Sequence, residues 1–210
     1  MYVALDGLGG SGKSEQTRRL VEWLISKGID ATGVREPGSD PVAELIRNIL
    51  LSTTDLVPLA DAYGYAAARA QMLSTVVRPI LDRGGWVITD RFAATSCSFQ
   101  GHLQGLGVRT VIDINSHLFD SGLPFPDLVL FIDVPPHIAL ERFLKRTGSE
   151  FDKFDDGDLD TLTMQREGYF ETFRHPPYSK NVLIIDGNQS IDKVHADIVT
   201  AIQPYTQRLA

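Results

Sequence analysis

Short apolar segments alternate with longer amphipathic segments along the chain. Nearly continuous apolar runs are typical of buried parallel strands, and they predict strands over residues 2–6, 30–35, 86–90, 127–134 and 182–186. Apolar residues at helical spacing predict helices over residues 13–27, 41–51, 61–82, 106–119, 136–147, 159–174 and 190–202. This alternation predicts an α/β protein: a three-layer α/β/α sandwich around a five-stranded, mainly parallel sheet.

Length and composition limit the classes of protein that fit. The 210 residues, 43% of them hydrophobic, predict a single domain over residues 1–210 with a substantial core. Without an apolar run of about 18 residues we expect no membrane span, and a strand at the N-terminus leaves no room for a secretory signal. The single cysteine, Cys97, excludes an internal disulfide, fits a reducing cytoplasm and is expected to be a buried apolar residue. The net charge of −7 argues against nucleic acid as a partner.

The segment GLGGSGKS, between the first predicted strand and the first predicted helix, carries the clearest chemical signal. Gly7, four further residues, then Gly12, Lys13 and Ser14 match the phosphate-binding loop G-x-x-x-x-G-K-[ST]. In such a loop, backbone N–H groups face phosphate oxygens, the lysine reaches the β- and γ-phosphates and the hydroxyl binds Mg²⁺. We therefore expect ATP or GTP binding, rather than an ordinary turn. The predicted ATP-binding residues are Gly7, Leu8, Gly9, Gly10, Ser11, Gly12, Lys13 and Ser14.

Charged residues end or directly follow four of the predicted strands. Asp6 ends the first strand, Arg35 the second and Asp90 the third, where Arg91 follows it, and Asp133 lies in the fourth. A single aspartate at such a point is usually a turn residue. Because ligands bind beyond the carboxyl ends of parallel strands, four such ends indicate a site. Arg35 and Arg91 are candidates to bind a second phosphate group.

Two further features leave alternatives open. Tyr65 and Arg69 lie four residues apart on one face of a predicted helix, so they either contact a nucleobase or are a core tyrosine and a solvated arginine. The polar stretch 147–158 is either a surface loop or a mobile lid.

An ordered set of motifs resembles the thymidylate kinase family, which transfers the γ-phosphoryl group of ATP to dTMP. The motifs are GLGGSGKS at 7–14, REPG at 35–38, ELIRNILL at 44–51, YAAARAQ at 65–71, TDRFAATSCSFQG at 89–101, PDLVLFIDVPP at 126–136 and REGYFE at 166–171. The resemblance extends from Val3 to about Ile202. It implies a P-loop kinase fold, ATP and dTMP as substrates, Mg²⁺ as cofactor, a cytoplasmic enzyme and a homodimer, with helix 61–82 as one plausible interface.

The resemblance also implies roles for residues on the acceptor side. The residues that would bind the nucleoside monophosphate are Asp6, Arg35, Pro37, Tyr65, Arg69, Arg91, Thr95 and Gln100. Among them, Arg35 and Arg91 would hold the acceptor phosphate, Tyr65 would stack on thymine and Arg69 would bond the base edge. Pro37 is expected to follow a cis peptide bond.

The remaining implied roles concern transfer itself. The implied catalytic residues are Lys13, Asp90, Arg91, Arg142 and Arg146, and the implied metal ligands are Ser14 and Asp90. Gly10 stands where some relatives have an arginine. The missing charge would come from a lid at about 142–158, through Arg142 and Arg146 with Lys145 or Lys153 nearby.

Two departures from the family pattern keep other functions open. Gly9 stands where the family commonly has an acidic residue, and Asp40 places a carboxylate that should repel the acceptor phosphate unless it is paired. They motivate a kinase of the same fold that acts on a different or modified deoxynucleotide. A nucleotide-binding module that transfers nothing is a further alternative, against which Lys13 and Arg35 argue. The sequence lacks the N-K-x-D motif, which argues against a GTPase.

Overall fold

The structure, a computed structural model, describes residues 1–53, 55–145 and 158–206. In it, five parallel strands form one sheet in the order β2-β3-β1-β4-β5. The strands are β1 (Tyr2–Asp6), β2 (Ala31–Arg35), β3 (Trp86–Asp90), β4 (Leu128–Asp133) and β5 (Val182–Asp186). Helices flank this sheet, so the predicted α/β fold is confirmed, with every strand parallel.

The helices follow the strands much as the apolar pattern predicts. The α-helices are α1 (Lys13–Ser26), α2 (Pro41–Ser52), α3 (Pro58–Met72), α4 (Arg78–Asp82), α5 (Ala93–Ser96), α6 (Val108–Asp120), α7 (Pro136–Leu144), α8 (Leu159–Phe173) and α9 (Ile191–Thr206). A π-helical turn (Leu73–Val77) joins α3 to α4, and a longer π-helical segment (Cys97–Leu103) continues α5. The predicted helix 61–82 therefore begins at Pro58 and contains the π-helical turn.

The helical stretch from Ala93 to Leu103 was not predicted. Its first seven residues are all buried, and most of them are small or polar, so they show no apolar stripe against a polar face. Helical periodicity is visible only where one face meets solvent, and this stretch lies inside the protein. Cys97 belongs to it and is buried as expected, and burial raises the pKa of its thiol to about 12.

The core is centred on β1, the middle strand of the sheet, and its neighbour β4. Every residue of β1 is buried, and so are the first five of β4. Helix α1 buries Thr17, Leu20 and Leu24, which follow one another at helical spacing and so lie on one face. Within the described parts of the chain, no helix has the length and hydropathy needed to cross a lipid bilayer. This core fixes the carboxyl edge of the sheet, where the charged strand ends meet.

Candidate active site

The phosphate-binding loop, residues 7–14, connects β1 to α1 as predicted. A Cβ atom on Gly7 would lie 2.7 Å from the carbonyl oxygen of Ile132, and one on Gly10 would lie 2.2 Å from that of Ala139. Gly10 also has a φ of 78°, a conformation that residues with side chains rarely adopt. The buried Lys13 folds back across the loop, and its Nζ donates to the carbonyl of Leu8 at 2.7 Å. In this arrangement helix α7 leaves no space for an arginine at position 10.

Ser14 and Asp90, the predicted metal ligands, are in contact. The Ser14 hydroxyl donates to Asp90 Oδ2 at 2.5 Å, which joins the start of α1 to the end of β3. Asp90 Oδ1 is buried and accepts no hydrogen bond from the residues that the structure describes. Hydroxyl and carboxylate oxygens are the ligands that Mg²⁺ prefers. The described residues contain no cluster of three or more His, Cys, Asp or Glu that could hold a metal.

The carboxylate of Asp6 is buried at the end of β1. Its Oδ1 accepts hydrogen bonds from Thr95 Oγ1 at 2.6 Å and from the backbone N–H of Phe92 at 3.4 Å. Burial raises the pKa of Asp6 to about 6, although the Thr95 hydrogen bond and the charges of Arg91 and Lys13 lower it. Asp6 therefore ties the end of β1 to the start of α5, and its carboxyl can be protonated near neutral pH.

Arg69 is fully buried, so the interpretation of a solvated arginine is wrong. It forms an ion pair with the buried Glu36. Its Nη1 donates to Asn115 Oδ1 at 2.5 Å and its Nη2 to Ser96 Oγ at 3.2 Å. Tyr65, one turn earlier on α3, is also buried.

These residues line a cleft that also includes predicted residues from other elements. Its lining comprises Glu36, Pro37, Tyr65, Arg69, Arg91, Phe92, Thr95 and Ser96. We call it the acceptor cleft, after the role predicted for its residues; its volume in this structure is about 10 Å³, room for about one water molecule. The structure thus brings together five of the residues predicted to bind the monophosphate. The peptide bond between Glu36 and Pro37 is cis, as predicted.

Two arginines stand at neighbouring strand ends beside the acceptor cleft. Arg35 ends β2 opposite Asp90 of β3; its side chain is 55% exposed and its Nη2 lies 3.2 Å from Glu44 Oε1. Arg91 is half-buried and has a φ of 72°. A residue with a side chain held at positive φ costs about 1–3 kcal/mol, and such residues cluster at functional sites. The two positions suit a phosphate held between two guanidinium groups.

Other predicted residues lie elsewhere or outside the described residues. Gln100 is buried and donates to Asp61 Oδ2 at 2.8 Å, so it braces α3 here. Arg142 donates to the carbonyl of Gly187, after β5, at 2.9 Å. Lys145 is exposed and pairs with Glu141 of its own helix. Arg146 and Lys153 lie outside the described residues, as does the rest of the predicted lid from residue 146 to residue 157.

Comparison with known proteins decides the family. The family model described as thymidylate kinase matches residues 5–198. The thymidylate kinase of Thermosipho africanus is 36% identical over 214 residues, which cover 99% of this chain and 100% of that protein. Those of Caldanaerobacter subterraneus subsp. tengcongensis and Kosmotoga olearia are 35% and 36% identical; the matches cover 97% and 95% of this chain and 95% and 93% of those proteins.

This chain belongs to the thymidylate kinase family. The resemblance noted from its motifs is confirmed, and with it the prediction that the chain is a kinase. Its two departures from the family pattern, at Asp40 and Gly9, have different structural surroundings.

Asp40 has a structural role at the start of α2. Its side chain caps α2, accepting hydrogen bonds from the backbone N–H groups of Val42 at 2.8 Å and Ala43 at 3.1 Å. It also accepts one from the Thr75 hydroxyl at 2.8 Å. The Ala43 hydrogen bond is the largest cause that lowers the pKa of Asp40. These donors are neutral, so the carboxylate keeps its charge, but it lies at the positive end of the α2 helix dipole and has hydrogen-bond partners of its own. Gly9, by contrast, is buried and no carboxylate takes its place within the loop.

Sequence reasoning missed several polar residues at the acceptor cleft. Glu36 and Arg47 stand inside the motifs REPG and ELIRNILL, and Arg47 donates to the carbonyl of Pro37 at 3.2 Å. Asn115 and Tyr169 are buried polar residues on α6 and α8. The available signal for Asn115 was a polar side chain on an otherwise apolar helix face, whereas Tyr169 could not be told from a core aromatic residue.

Substitution of Asp40 tests whether its charge affects the acceptor. We predict that Asp40→Asn, which keeps a capping oxygen, leaves the KM for the acceptor nucleotide and the thermal midpoint unchanged. Asp40→Ala removes the cap, so it should lower the thermal midpoint. Steady-state kinetics and thermal unfolding measure both. A fall in acceptor KM in Asp40→Asn would mean that the carboxylate repels the acceptor in the wild type.

The buried Asp6 should make stability depend on pH. Because its pKa is raised from 3.8 to about 6 on folding, its contribution is fully present below 3.8 and is lost as pH rises through 6. We predict that the unfolding free energy of Asp6→Asn, relative to wild type, rises by about 2 kcal/mol between about pH 4 and pH 7.5.

Denaturant unfolding without nucleotide or metal measures this difference. Asp82→Asn, which removes an exposed carboxylate, is the matched control and should show no such pH-dependent difference. A constant difference between Asp6→Asn and wild type would contradict the raised pKa.

Proposed function

We propose that this chain transfers the γ-phosphoryl group of ATP to dTMP and forms ADP and dTDP. The observation that carries the proposal is the acceptor cleft, with Tyr65 and Arg69, adjoining a phosphate-binding loop at one edge of the sheet. Family membership supports dTMP as the acceptor. The proposed unit is a single domain over residues 1–210 with a lid at about 142–158.

The proposed mechanism is direct in-line transfer, which rests on positioning and electrostatics. The loop N–H groups and Lys13 hold the ATP phosphates, and Arg35 and Arg91 hold the phosphate of dTMP. An oxygen of that phosphate attacks the γ-phosphorus, and the bond to the bridging oxygen of ADP breaks. The attacking oxygen is already ionised at neutral pH, so no general base is required.

Mg²⁺ fits the oxygens of Ser14 and Asp90. Bound there, it would neutralise charge that develops on the phosphates. The lid arginines, Arg142 and Arg146, are proposed to add positive charge when the lid closes over the nucleotides, since loop position 10 is a glycine.

Arg69 is proposed to recognise the base edge while Tyr65 stacks on the ring. A guanidinium has five N–H groups, and bonds to Glu36, Asn115 and Ser96 use four of those of Arg69. No hydrogen bond among the described residues uses the second Nη1–H. A single donor suits a carbonyl oxygen such as O4 of thymine and suits the amino group of cytosine poorly.

We also propose that the chain works as a homodimer in the cytoplasm and has no nucleic-acid partner. On α2, Val42, Leu45 and Ile49 are 48%, 64% and 61% exposed and follow one another at helical spacing. Leu59 and Tyr63 on the adjacent α3 are 47% and 57% exposed. A contiguous apolar face of this kind is typical of a protein interface. The alanines Ala62, Ala66 and Ala68 are buried in the core, so they are not part of this face.

An acceptor panel tests the activity. With ATP and Mg²⁺, we predict strong dTDP formation from dTMP, weaker turnover of dUMP, and little from dCMP, dGMP, dAMP or thymidine, measured by direct detection of product. Preference for another acceptor would support the kinase with a different substrate, and nucleotide binding without any product would support the binding module.

Substitution of Lys13 tests the phosphate-binding loop. Lys13→Ala should lower kcat by about 100-fold or more, because it removes a cation from the transferred group.

Oligomeric state tests the interface. We predict that Leu45→Glu with Ile49→Glu converts a dimer into a monomer in sedimentation velocity, because two carboxylates would be buried without partners. Ile25→Glu, at a similarly exposed apolar residue of α1 (57% exposed), is the matched control and should stay dimeric. A wild-type monomer would contradict the interface.

A further inference from the structure

Helix α8 packs unusually closely against the π-helical segment that continues α5. A Cβ atom on Gly168 would lie 2.9 Å from the Cα of Ser98, so the two backbones are nearly in contact. The Ser98 hydroxyl donates to the carbonyl of Gln165 at 2.6 Å. This close packing fixes the position of α8 relative to the acceptor side of the site.

The next residue along α8, Tyr169, reaches two different parts of the site with one hydroxyl group. The hydroxyl donates to the carbonyl of Gly7, in the phosphate-binding loop, at 3.2 Å. It also lies 2.8 Å from Thr95 Oγ1, in the acceptor cleft. Thr95 donates its single hydrogen to Asp6, which immediately precedes Gly7 in the chain, so the Tyr169 hydroxyl shares its one hydrogen between the Gly7 carbonyl and Thr95 Oγ1. The three side chains and the loop carbonyl therefore form a closed hydrogen-bonded group.

The hydroxyl of Tyr169 is not required for packing. The side chain is 2% exposed, and its ring packs against Phe131 and Phe173 with centroid distances of 4.9 and 6.0 Å. A phenylalanine would satisfy these ring contacts equally well, whereas a buried hydroxyl is costly unless it is hydrogen-bonded. Burial also raises the pKa of Tyr169, so the hydroxyl remains a donor across the neutral range.

We propose that Tyr169 is a positioning residue for phosphoryl transfer, whose hydroxyl holds the Gly7 carbonyl and Thr95 at a fixed separation. Gly7 begins the loop that holds the ATP phosphates, and Thr95 belongs to the wall of the acceptor cleft. In-line transfer depends on the separation of the two phosphate groups, and a small misplacement costs much of the rate. Tyr169 is buried, so it acts through these two partners rather than through contact with a substrate. The inference rests on the proposed function.

The test is Tyr169→Phe, which removes one oxygen and keeps the ring. We expect kcat for dTDP formation to fall about tenfold or more, while the KM values for ATP and dTMP change less than about twofold and the thermal midpoint stays within a few degrees. A purely structural role would instead lower the thermal midpoint and leave kcat unchanged well below it, and that result would overturn the proposal. If the wild-type enzyme forms no dTDP, the proposed function fails; if it does and Tyr169→Phe matches it, only this inference fails.

Two further variants sharpen the test. Tyr178→Phe removes another buried tyrosine hydroxyl, which hydrogen-bonds Cys97 rather than the loop, and it should leave kcat unchanged. In a double-mutant cycle with Thr95→Val, the effect of Tyr169→Phe should shrink, because the partner hydroxyl is already gone. Fully additive effects, or an equal loss of kcat in Tyr178→Phe, would overturn the proposal.

Discussion

The parallel register of three neighbouring strands is the constraint on which the whole site depends. Leu5 of β1 and Arg35 of β2 both face Asp90 of β3, so the last residues of these strands meet at one edge of the sheet. A slip of one residue would turn Asp90 to the opposite face of the sheet and separate it from Ser14. Because both faces of β1 are buried, a slip of one residue would place side chains of the wrong volume in each packed layer, and misfit of this kind costs about 1–3 kcal/mol.

The two halves of the site use different chemical groups: backbone atoms on the phosphate-binding side and side chains on the acceptor side. On the phosphate-binding side the functional groups belong to the backbone, and Gly7 and Gly10 are required because other backbone atoms lie within 2.7 Å of where their Cβ atoms would be. On the acceptor side the functional groups belong to buried polar side chains such as Arg69 and Glu36, which come from different segments of the chain. A backbone loop needs only a local pattern, whereas a buried polar network needs partners that are distant in the chain.

This difference explains how far the sequence could predict the structure. The apolar runs predicted every strand to within a residue at each end, and the glycine spacing predicted the loop. The burial of Arg69 was not predictable from its own helix, because its partners Glu36 and Asn115 come from other segments. Asp40 was misinterpreted for a different reason: it directly precedes the predicted helix 41–51 and its capping partners Val42 and Ala43 are local, so the helix cap was predictable from the sequence. The stretch from Ala93 to Leu103 was missed because burial on all sides removes the periodicity that marks a helix.

On the acceptor side, Arg69 is buried and Arg35 is exposed, and this difference suits the two arginines to different roles. The desolvation of Arg69 is compensated in advance by Glu36 and neutral partners, so this guanidinium keeps one orientation before any base arrives. Arg35 is exposed, and its contact with Glu44 is of the kind worth at most about 1 kcal/mol. An incoming phosphate can therefore displace Glu44 at little cost. If the chain binds dTMP as proposed, the buried Arg69 is suited to distinguishing one base from another, and the exposed Arg35 is suited to following the phosphate as it binds.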